Sequence, residues 1–99
     1  LLKGEEVWSH ILEPNQSTMY HDHKEERDGV SFVYYVTYPE DSGNLVFEFD
    51  VLGKKVCKSI KPKVGELILF PTYMPHYSTR NISNEIRISI SGNYFPMNR

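Results

Sequence analysis

Three histidines are suited to supply the nitrogen ligands of a metal ion. His21 and His23 lie two residues apart in a short strand-like run, and alternate side chains of a strand point to the same face. His76 lies far along the chain, after an apolar run that Pro71 stops. Two imidazoles from one strand and a third from a distant strand would form a facial site with open coordination positions. H-x-H alone is a weak signal, and a solvated strand end with surface histidines fits it as well.

A second ligand register overlaps the first. His23-Lys24-Glu25 is an H-x-E sequence, and positions 21, 23 and 25 share one face if the strand extends that far. Periodicity therefore does not choose between the pair His21/His23 and the pair His23/Glu25. Asp22 points to the opposite face and is a poor candidate ligand.

The strand predicted over 85–94 carries a polar stripe. Arg87, Ser89, Ser91 and Asn93 share one face of it. If this face meets water, the strand is an ordinary amphipathic surface strand. If it points inward, the guanidinium requires a carboxylate partner, because an unpaired buried charge is costly. Arginine binds carboxylates through two parallel hydrogen bonds, and the Ser89 hydroxyl could add a third, which would make this an anion site.

An inward polar stripe would turn an apolar row outward. Ile86, Ile88 and Ile90 would then lie on the outer face and would need cover from another subunit, as in a homo-oligomer, or from an N-terminal segment. Tyr34 and Tyr35 carry a similar ambiguity, since one ring must face in and the other out.

Turn signals recur every 8–12 residues, and the chain is rich in Val, Ile, Tyr and Phe, which favours strands. The sequence predicts an all-β fold of about eight antiparallel strands, a double-stranded β-helix or jelly roll, with no helix. The predicted strands include 6–12, 18–23, 30–38, 45–49, 54–60, 66–70 and 85–94.

Composition sets limits on organisation and partners. The 99 residues suit a single domain over 1–99, and the opening Leu1-Leu2 is compatible with the ordered core of a longer chain. A net charge of −2 disfavours nucleic-acid binding. The lone Cys57 excludes an internal disulfide and fits a reducing compartment, so a cytoplasmic location is expected. No apolar run approaches the roughly 18 residues that span a bilayer, so no membrane association is expected.

Several motifs follow one another along the chain: Trp8, His21-Asp22-His23, Val33-Tyr34-Tyr35-Val36, GELILFP at 65–71, His76 and RISISGN at 87–93. In this order they resemble the 2-oxoglutarate/Fe(II)-dependent oxygenase superfamily. The chain looks most like a compact, prolyl-hydroxylase-like group of such oxygenases found in bacteria and phages. The resemblance runs from Trp8 to about Phe95, and its downstream half is the more specific.

The resemblance implies Fe(II) and 2-oxoglutarate as cofactors, with no catalytic residue beyond the metal ligands. The implied iron ligands are His21, His23 and His76, and Glu25 is the alternative to this set. Most of the superfamily uses H-x-D/E, so His23 is a departure. The distance from Trp8 favours His21 as first ligand, whereas the distance to the tyrosine pair would favour His23. We take His21/His23 as the preferred pair.

The remaining implied residues bind the cosubstrate or line its pocket. Arg87 matches the arginine that holds the remote carboxylate of 2-oxoglutarate, and Ser89 matches the serine of the same motif. Tyr35 or Tyr34 is expected to touch the cosubstrate, and Asn93 and Tyr34 are candidate pocket-lining residues.

The implied activity is a dioxygenase reaction. An unidentified substrate, a protein side chain or a small molecule, would be hydroxylated with O2, and succinate and CO2 would be released. Two rivals remain. A cupin-type metal enzyme lacking 2-oxoglutarate fits the spacing of Gly65, Pro71 and His76, although Tyr73 stands where a cupin has glycine. A metal-free jelly-roll module for binding or assembly would leave Arg87 in solvent.

Overall fold

The protein is described by a computed structural model covering residues 2–18 and 29–97, with backbone alone for residues 2–6. This part of the chain forms seven strands: β1 (Leu2–Leu12), β2 (Val30–Tyr35), β3 (Leu45–Val51), β4 (Lys54–Ile60), β5 (Leu67–Pro71), β6 (His76–Ser78) and β7 (Arg87–Pro96). In the described residues, no helix is long and apolar enough to cross a membrane.

All strand pairs are antiparallel, and they form two sheets. The first sheet has the order β1-β7-β2-β5 and the second the order β4-β3-β6. The prediction of an all-β jelly roll is confirmed. Seven strands are present among the described residues, and most of the predicted strand 18–23 lies outside them.

Strand boundaries differ from the predictions by a few residues: β1 begins four residues earlier than predicted, and β2 ends three residues earlier. The predicted strand 30–38 ends at Tyr35. Beyond it, the backbone N–H groups of Val36 and Thr37 both donate to the carbonyl of Ile88, at 2.9 and 3.1 Å. Two consecutive residues facing one partner interrupt the regular ladder, so the chain leaves the sheet here.

The hydrophobic core lies between the sheets. Val33 and Tyr35 of β2 pack with Leu45 and Phe47 of β3, and Phe70 joins them with its ring centroid 5.0 Å from that of Phe47. Burying each such side chain contributes about 1.5–3 kcal/mol. Because side chains alternate between the two faces of a strand, every second side chain of β2 and β7 points into the space between the sheets.

The outer face of the first sheet is apolar. Ile86 is 44% exposed, and Ile88 and Ile90 are half-buried on this face, as an inward polar stripe requires. Exposed Ile11 and Leu69 extend the surface across β1 and β5. Cover by another subunit or by a further segment stays a prediction.

The loop before β3 approaches the start of β7 closely at Gly43. This residue has φ +109°, and a Cβ there would lie 2.5 Å from the Thr79 carbonyl oxygen and 3.2 Å from Nη1 of Arg87. Only glycine permits both this backbone conformation and this approach. The loop thereby brings backbone carbonyls to the guanidinium.

We expect Gly43→Ala to destabilise the protein more than Gly65→Ala does. Gly65 also has positive φ, +80°, but a Cβ there meets nothing within 4 Å. The left-handed conformation alone should cost Gly65→Ala about 1–2 kcal/mol of unfolding free energy, and Gly43→Ala should add the clash with Thr79. Urea unfolding of both variants measures the difference, and equal losses would contradict the close approach.

Candidate functional site

A cavity of about 370 Å³ lies between the two sheets. Its wall is formed by residues of all four strands of the first sheet and of β3 and β6 of the second, together with Ser17 and Thr18. A volume of this size suits a small organic molecule.

The polar stripe of β7 faces this cavity. Arg87, Ser89 and Asn93 are only 3%, 4% and 3% exposed, Ser91 is half-buried, and all four line the cavity. β7 lies between β1 and β2 in the first sheet, and the low exposure of these side chains shows that its inner face is turned away from bulk water. The alternative of an ordinary amphipathic surface strand is therefore wrong.

Among the described residues, Arg87 forms hydrogen bonds to backbone carbonyls and packs against one aromatic ring. Nη1 donates to the carbonyl oxygens of Ser42 and Gly43 at 3.2 and 3.5 Å, and the guanidinium carbon lies 5.4 Å from the ring centroid of Tyr35. Nε is buried without a hydrogen-bond partner, and no described carboxylate forms an ion pair with Arg87. Burial lowers its pKa, yet arginine stays protonated in proteins. A buried cation without an anion is costly, so the site is suited to an anion from outside the chain.

The two adjacent tyrosines face opposite ways. Tyr35 is 1% exposed, lines the cavity and is paired in register with Ser89. Burial raises its pKa to about 12, so its hydroxyl stays neutral and can donate a hydrogen bond. Tyr34 points to the outer face and is 38% exposed. The prediction that Tyr34 lines the pocket or touches the cosubstrate is therefore wrong, because strand alternation turns it outward.

A second polar group lies farther along β7. The Ser31 hydroxyl donates to Oδ1 of Asn93 at 2.6 Å and lies 3.1 Å from Oγ1 of Thr72. Nδ2 of Asn93 is buried without a hydrogen-bond partner among the described residues. Asn93 and Ser31 line the cavity, so this unsatisfied amide offers a donor near it.

His76 occupies the first position of β6 and also lines the cavity. Its Nδ1 hydrogen bonds with the Met74 carbonyl at 2.8 Å, and its ring packs 4.7 Å from that of Phe70. A carbonyl oxygen only accepts, so Nδ1 is the donor of this bond, and in a neutral ring the lone pair is then on Nε2. This tautomer is the one in which an imidazole binds a metal, with its second nitrogen oriented by a carbonyl.

The other predicted ligands, His21 and His23 with the alternative Glu25, lie outside the described residues. The residues that are described contain no cluster of three metal-ligating side chains. The chain reaches the undescribed segment beside β6, where Thr18 N–H donates to the Ser78 carbonyl at 3.3 Å and Ser78 N–H donates to Thr18 Oγ1 at 2.6 Å.

Sequence reasoning missed several residues of the cavity wall, among them two polar residues beside β7. His10 on β1 lies opposite Ser89 in the register, and Ser31 on β2 lies opposite Asn93. Burial, and then the positive charge of Arg87, lower the pKa of His10 below 6.5. Alternation could have placed either residue on an inward face, but only strand pairing brings them beside β7.

The family model described as "Putative 2OG-Fe(II) oxygenase" matches residues 50–93 of the chain. The matched segment includes His76, Arg87, Ser89 and Asn93. The resemblance to the 2-oxoglutarate/Fe(II) oxygenase superfamily, read first from sequence motifs, is thereby confirmed. No curated protein matches the chain.

Two solved oxygenase structures share the fold. A prolyl-4-hydroxylase from Pseudomonas putida is 22% identical with a TM-score of 0.67, over 90% of this chain and 49% of that one. The alpha-ketoglutarate-dependent carbocyclase SnoK of nogalamycin biosynthesis is 14% identical with a TM-score of 0.72, over 95% of this chain and 50% of that one. This chain thus spans about half the length of each.

A cupin domain is also similar. The Cupin_2 domain of an XRE-family transcriptional regulator from Enterobacter cloacae is 20% identical with a TM-score of 0.57. The match covers 97% of this chain and 96% of that one. At these identities the three structures show a shared fold.

Because Arg87 has no described carboxylate partner, we expect Arg87→Met to be as stable as the ligand-free wild type or more stable. Replacing buried ionic groups by apolar ones of similar size raises the unfolding free energy by up to about 4 kcal/mol. The control is Arg80→Met, at an exposed position, which should change it by less than about 0.5 kcal/mol. Urea unfolding measures the difference. A clear loss of stability in Arg87→Met would mean that the guanidinium pairs with a carboxylate within the protein.

Proposed function

We propose that residues 1–99 form the jelly-roll domain of an Fe(II)- and 2-oxoglutarate-dependent dioxygenase, which hydroxylates its substrate and releases succinate and CO2. The observation that carries the proposal is Arg87, which is buried without a carboxylate partner among the described residues, on the wall of a cavity that His76 also lines. An oxygenase of this class needs both a metal site and a binding site for a dicarboxylate. The family match over 50–93 supports the same reading.

Arg87, Ser89 and Tyr35 would hold the remote carboxylate of 2-oxoglutarate. The guanidinium can donate two parallel hydrogen bonds to a carboxylate, and the attraction is strong because the site excludes bulk water. The Tyr35 hydroxyl stays protonated, since the pKa of this residue is raised to about 12. The role of these residues is thus to bind and orient the cosubstrate along the cavity.

His21, His23 and His76 would hold the iron, which supplies the oxygen chemistry when bound. The tautomer of His76 fits this role. Thr18, three residues before His21 in the sequence, hydrogen bonds to Ser78 of β6, the strand that begins at His76. Glu25 remains the alternative ligand.

A cupin-type metal enzyme without 2-oxoglutarate is the second candidate. It is favoured by the structural similarity to a cupin domain along almost the full length of both chains. Such an enzyme, however, would have no use for a buried arginine that lacks a carboxylate partner in the described part of the chain, so we rank it below the oxygenase.

Anaerobic titration with Fe(II) followed by 2-oxoglutarate tests the proposal. We expect the weak visible charge-transfer band of an iron–oxo-acid chelate in the wild type. Arg87→Met should bind iron equally well but need a far higher 2-oxoglutarate concentration, because the remote carboxylate loses its cation. An iron-loaded, folded wild type that shows no band would refute the oxygenase assignment and leave the cupin reading.

Iron retention in single alanine variants identifies the second and third ligands. We expect His21→Ala and His23→Ala to lose iron, because each removes one of three nitrogen ligands, whereas Glu25→Ala and the control Asp22→Ala should retain it. Metal content after gel filtration is the measurement. Loss of iron from Glu25→Ala with retention in His21→Ala would show that the H-x-E register is the correct one.

A further inference from the structure

We propose that His10 is a further binding residue for the remote carboxylate, donating a hydrogen bond from its imidazole to the anion that Arg87 holds. The inference rests on the proposed function, since it concerns the same cosubstrate. It adds a residue on β1, where the sequence motifs name only Trp8 and which the family match over 50–93 does not cover.

Strand register puts His10 in a row with two of the cosubstrate residues. His10 is paired with Ser89 across β1 and β7, and Tyr35 is paired with the same serine across β7 and β2. Directly opposed residues of antiparallel strands have Cβ atoms about 4.5–5.5 Å apart. All three side chains line the cavity, so they form one polar row across its wall. Arg87 lies one inward position along β7.

The next inward position of β1 differs in character. Leu12, paired with Arg87, is 1% exposed and packs as a core residue. His10 is half-buried, and no hydrogen bond joins its ring to any described residue. A polar ring in the wall of the cavity without a described partner is suited to a ligand rather than to packing.

The electrostatics favour a neutral His10 imidazole, which can still donate a hydrogen bond to a bound anion. Burial and the charge of Arg87 both disfavour the imidazolium, which lowers the pKa of His10. A neutral imidazole still carries one N–H donor. A carboxylate bound at Arg87 would offset the positive field and accept that hydrogen bond. The row would then present His10, Ser89 and Tyr35 as donors beside the guanidinium.

Such a site would bind 2-oxo acids that carry a second carboxylate more tightly than those that lack one. 2-Oxoglutarate has a remote carboxylate that can reach Arg87, whereas 2-oxobutyrate has the same 2-oxo acid end without it. Removing the His10 donor should therefore weaken binding of the first compound and leave binding of the second unchanged.

Anaerobic calorimetric titration of the Fe(II)-loaded full chain with each compound tests this. His10→Phe, which keeps a ring but loses the donor, should weaken 2-oxoglutarate binding about tenfold or more, as for a lost hydrogen bond to a charged group. His10→Gln, which retains an N–H donor, should recover most of the affinity. The matched control is Ser9→Ala, at an exposed position on the outer face of β1, which should change nothing.

Two results would overturn the inference in distinguishable ways. Unchanged 2-oxoglutarate affinity in His10→Phe, with affinity lost in Arg87→Met, would exclude His10 and leave the proposed function standing. A wild type that binds iron but not 2-oxoglutarate would refute both. If His10→Phe does not fold, His10→Leu, which matches the neighbouring inward Leu12, serves in its place.

Discussion

A buried guanidinium without a carboxylate in the described part of the chain is the constraint on which the site depends. Arg87 is 3% exposed, yet its described hydrogen bonds go to two backbone carbonyls. Leaving a cation in this state costs free energy that an apolar side chain would avoid. The fold nevertheless accommodates it: the Gly43 loop comes close enough for carbonyl contacts, and Tyr35 covers one side of the group. An anion bound from outside the chain would offset this cost by pairing with the guanidinium.

The position of β7 explains why one strand can carry so much of the site. It is paired on both edges, so side chains of both neighbouring strands lie beside its own, and its inward side chains are buried. β2 brings Tyr35 and Ser31 to it, and β1 brings His10. His76 enters from the second sheet, so the cavity joins a carboxylate-binding end on one sheet to a candidate metal ligand on the other.

Much of the fold could be predicted from the sequence, because period-two alternation and turn residues are local signals. The strand over 54–60 has the observed bounds, and the polar stripe from Arg87 to Asn93 was recognised as one face. Which way that face points was not decidable locally, since alternation is the same for an inward and an outward stripe. Tyr34 illustrates the limit. Two adjacent tyrosines give no local signal of which one points inward, and only the position of β2 in the sheet shows that it is Tyr35.

The roles of His10 and Ser31 could not have been predicted, because they follow from register between strands distant in sequence. His10 precedes its partner Ser89 by most of the chain. The metal ligands proposed at His21 and His23 rest on sequence and on the position of Thr18 beside Ser78.

A crystal structure of the protein with Mn(II) and 2-oxoglutarate tests the central claim most directly. The account predicts the remote carboxylate within about 3 Å of the Arg87 guanidinium nitrogens, the distance of a charge-assisted hydrogen bond. A structure in which Arg87 instead pairs with a carboxylate of the protein, with 2-oxoglutarate bound elsewhere or not at all, would contradict it.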